Sequence, residues 1–201
     1  MCIDEEIRAV ESEISRRAAT NRQIQLLMSI TGVGLIAASV IWARIGDASR
    51  FRNPKAVSRY SGLDPSVHQS GEENRRGHIS RNGPTDLRCA LVQVAYQVAL
   101  HDSGPLGEFF RRKEKQLGRK RAVIATARKV LVVAWKILLT GRPYCATKTA
   151  RYSEKIRALR KQTGEKPRDL GSDLDEVLSK ISKGEFADGS YRTHPTQTSV
   201  A

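Results

Sequence analysis

Aromatic residues are scarce in this chain, 5% of 201 residues, so a buried core has to come from Ala, Val, Ile and Leu within an apolar share of 39%. That supply is enough for one helical core of ordinary domain size. Cysteine is equally sparse. Cys2, Cys89 and Cys145 are odd in number and far apart, which excludes a disulfide framework or a paired zinc motif and leaves them as reduced structural thiols. Uncharged runs long enough for a bilayer are missing too: the most apolar late stretch, 122–139, carries Arg128, Lys129 and Lys136. The start, Met1-Cys2-Ile3-Asp4-Glu5-Glu6, is acidic and lacks the basic and apolar regions of a signal peptide. The expectation is a soluble cytoplasmic protein, associated with the nucleoid and not with a membrane.

Acidic residues are the last shortage. Asp plus Glu number 21 against 35 Lys plus Arg, giving a net charge of +14 and a pI near 10.1. Acidic polymers are the expected partners. The cations are spread through several elements and do not form one amphipathic anchor, which favours nucleic acid over a membrane surface.

What is present is mainly helical in period. Ile7, Val10 and Ile14 mark one apolar stripe on a charged helix, read as a coiled-coil arm over 1–25. The segments 23–30 and 35–45 are apolar at helical spacing and flank Thr31-Gly32-Val33-Gly34, a helix-hairpin-helix pattern. In such a hairpin Gly32 and Gly34 let the backbone approach a nucleic-acid phosphate, with the next helix's N-terminal amides aimed at it. The alternative is a tight turn between packed helices. A connection at 49–54 leads into a short helix over 55–61, for whose first turn Pro54 is suited. The stretch 62–81, rich in Gly, Ser and Arg, is a loop or a small β-hairpin around Val67 and Ile79. Pro84 opens a helix with Leu87, Leu91, Val94, Ala95 and Val98 on one face. A helix follows over 106–117, then one over 122–140 with Ile124, Ala127, Leu131, Ala134, Trp135 and Leu138 inward, stopped by Gly141 and Pro143. The compact domain is expected over 26–144. The remainder, 145–201, reads as a basic, partly disordered extension with one amphipathic segment at 172–182 and a flexible tail from Gly189.

Several blocks then occur together in order: Thr31-Gly32-Val33-Gly34, Ile45-Gly46-Asp47, Phe51, Tyr60-Ser61-Gly62-Leu63-Asp64-Pro65, Gln69-Ser70-Gly71, Gly77-His78-Ile79-Ser80-Arg81-Asn82-Gly83 and Leu87-Arg88. In that spacing the chain resembles the C-terminal transposase domain of the insertion-sequence 110/116/902 family, relatives of the Piv DNA invertases. The resemblance covers about 26–144. Thr31 stands where the family usually has proline, and Ser61 where alanine is usual.

The resemblance implies a site-specific recombinase built from an acidic, magnesium-binding ribonuclease-H-like domain and a serine domain. Ser70 is the matching nucleophile. Magnesium is expected only with the acidic domain, which is expected to be missing from this chain: Asp4, Glu5, Glu6, Glu11 and Glu13 read as a solvated helix face. The expectation is therefore a truncated or split transposase that is not active alone. Implied partners are DNA, a structured guide RNA, and a second subunit, either another copy or a full-length or split transposase. Arg75, Arg76, Arg81 and Arg88 are candidates to hold the scissile phosphate. Arg111, Arg112, Lys113, Arg119, Lys120 and Arg121 form a second basic patch for nucleic-acid backbone. Ser61, Ser66 and Ser80 are rival nucleophiles, and His68 and His78 are candidate bases or ordinary packing residues. Two other readings stay open: a non-catalytic nucleic-acid-binding module, and a remnant that interferes by pairing with full-length transposase.

Overall fold

The computed structural model describes residues 3–70, 73–164 and 179, and of 66–70 and 73–77 the backbone alone. The expected segment at 172–182, the tail from Gly189 and Cys2 lie outside the described residues. The elements run α1 (Ile3–Thr20), α2 (Arg22–Leu27), α3 (Leu35–Ile45), a 3₁₀ turn (Ala48–Arg50), α4 (Pro54–Tyr60), β1 (Pro65–Ser70), β2 (Glu73–Ile79), α5 (Thr85–His101), α6 (Pro105–Leu117), α7 (Arg119–Thr140) and α8 (Thr149–Thr163). The fold is mainly helical, with β1 and β2 forming one antiparallel pair.

Short polar side chains set the helix starts. Asn21 accepts from the amides of Gln23 and Ile24 to open α2, and Asn53 accepts from Ala56 N ahead of Pro54 in α4. Asp47 holds the 3₁₀ turn through the hydroxyl and amide of Ser49, contacts that keep its carboxyl below the usual range. The left-handed Gly141 ends α7.

The core is aliphatic, as the shortage of aromatics requires. Leu27, Ile30, Ile41, Ile45, Leu63, Leu87, Leu91 and Leu131 are all fully buried. Helix α7 runs through the middle and packs on α2, α3, α4, α5 and α6. Its Trp135 donates Nε1–H to Ala48 O at 2.9 Å, tying the 3₁₀ turn to the core. The inward face expected for α5 is the buried face, residue for residue. On α7, Ile124 is only half-buried while the other inward residues are buried.

The boundary expected after Tyr144 is not a break in packing. Tyr144 is buried, its amide donates to Ser29 Oγ, and α8 turns back to pack on α1. Helix α8 buries only Tyr152, Ile156 and Leu159. Between them stand Lys155, Arg157 and Ala158, flanked by Arg151 and Arg160, so its apolar stripe is too thin to read as core in sequence. Helix α1 is anchored at its C-terminal end, where Ala18 and Ala19 are buried and Ser15 Oγ donates to Gln162 Oε1. Farther out, Ile3, Ile7 and Val10 are 73%, 50% and 60% exposed, so the expected stripe faces solvent over this half of the helix. None of the helices among the described residues is long and apolar enough to cross a membrane.

Candidate nucleic-acid interface

Ser70 is the last residue of β1 and stands opposite Glu73 of β2; Arg75 pairs with His68 and Arg76 with Val67. The foot of this hairpin is locked onto the helical body. Ser80 N donates to Asp64 O at 2.8 Å and Arg81 N to Gly62 O at 3.1 Å, while Ser80 Oγ donates to the Asp64 carboxylate at 2.8 Å. The turns at 60–62 and 81–83 press backbone against backbone: a Cβ on Gly83 would lie 2.2 Å from Tyr60 O. Arg88 braces the same junction, donating to Arg81 O, Gly83 O and Thr85 Oγ1. Its guanidinium therefore acts first on the loop's own carbonyls. Arg81 is exposed, and its backbone sits at φ 57°, a conformation uncommon outside glycine. Of the rival serines, Ser61 is fully buried with its hydroxyl bound to Ser58 O, and Ser80 is held by Asp64. His78 is exposed.

Two neighbouring side chains hold the ground beneath. Tyr60 donates its hydroxyl to Arg44 O, and Arg50 lies 4.5 Å from the Phe51 ring centroid and 4.7 Å from that of Tyr60. Arg44 also pairs with Asp86 at 2.7 Å, linking α3 to α5 and holding the Asp86 carboxyl below its usual range.

The glycine hairpin joins α2 to α3, and its two glycines differ. Gly32 has φ +84°, and a Cβ there would meet Gln97 Cβ and Val94 O at 3.1 Å, so packing against α5 accounts for it without a ligand. Gly34 has an ordinary backbone, φ −94°, and no atom within 4 Å of where a Cβ would stand.

From α8, Lys155 Nζ donates to Met28 O at 2.8 Å, Ile30 O at 3.3 Å and Val33 O at 2.7 Å. All of its protons hold the hairpin closed. Burial first, and the nearby Arg151 charge second, push this ammonium down to about 8 from 10.5. The protonated clasp is therefore complete below about 8 and loses a donor above it. Global stability follows the opposite sign, since between 8 and 10.5 the unfolded chain holds the proton more tightly. The Cε resonance of Lys155 is expected to titrate near pH 8, with the amide signals of Gly32 and Gly34 shifting in step; a midpoint left at the ordinary lysine value would show that the ammonium is not buried in this way. Sequence reasoning missed Lys155 because its partners lie more than 120 residues away.

The residues expected to form the second basic patch lie along the middle of α6 and in the first turn of α7. Arg111 donates to Asp102 O at 3.1 Å and is partly committed to the fold. Arg112 sits 5.6 Å and Lys129 5.9 Å from the Phe109 ring centroid, and Lys113 donates to Gln116 Oε1. Burial, then the charge of Arg112, lowers the pKa of Lys129. Arg119, Lys120 and Arg121 are exposed in the first turn of α7, which has no acidic residue. Cations at the positive end of a helix dipole are unfavourable by about 0.3–1 kcal/mol each, a penalty that a bound anion relieves.

Among the described residues no group of three His, Cys, Asp or Glu side chains could hold a metal, and Glu13 is engaged with Arg16 and Arg17.

The sequence is similar to that of known proteins over much of its length. The chain is 32% identical over 126 residues to the pilin gene-inverting protein of Moraxella bovis, covering 62% of this chain and 39% of that protein. It is 30% identical over 139 residues to a probable family 20 transposase of Pseudomonas aeruginosa, 68% of this chain and 41% of the relative. It is 29% identical over 144 residues to the transposase for insertion sequence element IS1111A of Coxiella burnetii, 70% and 40% respectively. The chain thus spans about two fifths of the length of these relatives. The model of the transposase IS116/IS110/IS902 family matches residues 24–111, a segment that takes in the glycine hairpin, the Ser70 hairpin, α5 and the first half of α6, and it is this segment that belongs to the family.

Proposed function

We propose that this chain is the DNA-binding, serine-bearing part of a transposase that cuts and rejoins DNA strands. The observation that carries the reading is the position of Ser70 at the end of β1, on a hairpin whose foot is fixed to a strongly basic helical body. Attack of Ser70 Oγ on a DNA phosphorus would form an Oγ–P bond and break the P–O bond to one deoxyribose oxygen. The proton given up by the serine balances the one taken by the leaving oxygen. The phosphodiester is conserved, and a hydroxyl from a second strand reverses the step without ATP. Arg75, Arg76 and Arg81 are the cations of this hairpin region assigned to the phosphate, and the cations of α6 and of the first turn of α7 are assigned to backbone farther along the DNA.

The acidic, magnesium-binding function is assigned to a ribonuclease-H-like domain outside the described residues, on the same or another polypeptide. The exposed Ile3, Ile7 and Val10 of α1 are the surface for pairing with a second subunit. A guide RNA would share the basic surfaces.

The test is covalent capture. DNA carrying element ends is incubated with this chain, magnesium and an acidic domain of the family, then denatured and resolved by size. DNA attached to the chain is the expected result. Salt-sensitive binding with no attachment under any such complementation would reduce the protein to a binding module.

A further inference from the structure

Between the glycine hairpin, the C-terminal turn of α5 and the start of α8 lies a cavity of ≈ 270 Å³, smaller than the pockets that hold drug-sized ligands. Its wall includes Gly34, His101, Lys148, Arg151 and Lys155, and no Asp or Glu lines it. Lys155 is committed to the hairpin carbonyls. Lys148 gives one bond, to His101 O at 3.2 Å, and has two protons left. Arg151 is exposed and makes no hydrogen bond or ion pair with the other described residues. Gly34 opens toward unfilled space although neither its φ nor its packing requires glycine, so a ligand can come as close as its backbone allows.

We propose that this cavity is a phosphate subsite for duplex DNA, in which Lys148 and Arg151 contact one backbone phosphate beside Gly34 and Lys155 is the positioning residue that shapes the hairpin around it. The inference rests on the reading of the chain as DNA-binding, and adds α8 to its surface. The subsite is distinct from the Ser70 hairpin. Gly32 abuts Val94 and Gln97 late in α5, whereas Arg88 and Gly83 lie at its start. At 1.5 Å per residue the stretch of α5 from Arg88 to Gln97 separates the two by roughly 14 Å, so they contact different phosphates.

The experiment measures binding of a labelled mixed-sequence duplex to the full chain by fluorescence anisotropy across a salt series. The Lys148→Gln/Arg151→Gln double variant is expected to lose about tenfold in affinity at moderate salt, with a salt slope shallower by about one, since the two cations share one phosphate. Gly34→Ala is the second variant: its new methyl meets no protein atom, so its Tm should hold while affinity falls several-fold. Unchanged affinity and slope in both variants overturns the subsite. If the Arg119→Gln/Lys120→Gln/Arg121→Gln variant then still weakens binding, DNA binding stands without it; a wild-type chain that binds no duplex removes both. Displacement of the effect by millimolar inorganic phosphate, or a loss confined to RNA, overturns the assignment to duplex DNA.

Discussion

Ser70→Ala is expected to eliminate covalent attachment of DNA while leaving equilibrium binding within about twofold. The asymmetry follows from what each process needs. Attachment requires one oxygen that can form a bond to phosphorus, and alanine has none. Binding is spread over many cations, each acting through counterion release, and the change removes no charge. The described rivals are poorly placed to substitute. Ser61 is fully buried with its hydroxyl donating to Ser58 O at 2.7 Å, so it would have to leave the core to meet DNA. Ser80 donates to Asp64 at the hairpin foot, and removing it would disturb the junction that positions Ser70. An adduct that persists in Ser70→Ala would move the nucleophile elsewhere. Peptide mapping of the DNA-linked fragment would then show where.

Much of this arrangement was legible in the sequence, for a physical reason. The face of α5 repeats Leu87, Leu91, Val94, Ala95 and Val98 at helical spacing, and burial follows that period because one side of the helix meets α7 and α3. The bounds of α3 were likewise readable, since Gly34 and Gly46 bracket an unbroken apolar run. Two things were not. Helix α8 has three buried residues among many cations, and its place in the body depends on hydrogen bonds from Lys155 and Tyr152 to carbonyls distant in sequence. Local periodicity carries no trace of such contacts. The roles of individual arginines and glycines were also hidden. Arg88 and Arg81 look alike in sequence, yet one braces a loop and the other is exposed. Gly32 and Gly34 form one motif, yet one is explained by its contact with α5 and the other only by open space.

The junction that carries the hairpin gives the largest expected effect on stability. Gly83→Ala should lower Tm by roughly 6–12 °C, from about 3 kcal/mol of overpacking in a chain of this size. The added Cβ would lie 2.2 Å from Tyr60 O, 2.5 Å from Ser61 C and 2.8 Å from Gly62 N, all backbone atoms. That backbone cannot yield cheaply. The Tyr60 hydroxyl is tied to Arg44 O, its ring packs at 5.4 Å on Phe51, and Gly62 sits at φ +66° with its carbonyl accepting from Arg81 N. Relief must come from moving 81–83 outward, which pulls on the carbonyls held by Arg88 and swings the foot of β2 away from Asp64. The same variant is therefore expected to lose covalent attachment although Ser70 is intact, and to keep binding DNA through the cations of α6 and α7, which it leaves unchanged. Thermal denaturation and covalent capture read the two effects separately. A Gly83→Ala chain with unchanged Tm would show that the two turns do not meet as described, and attachment at the wild-type level despite a lowered Tm would show that the foot of the hairpin does not position Ser70.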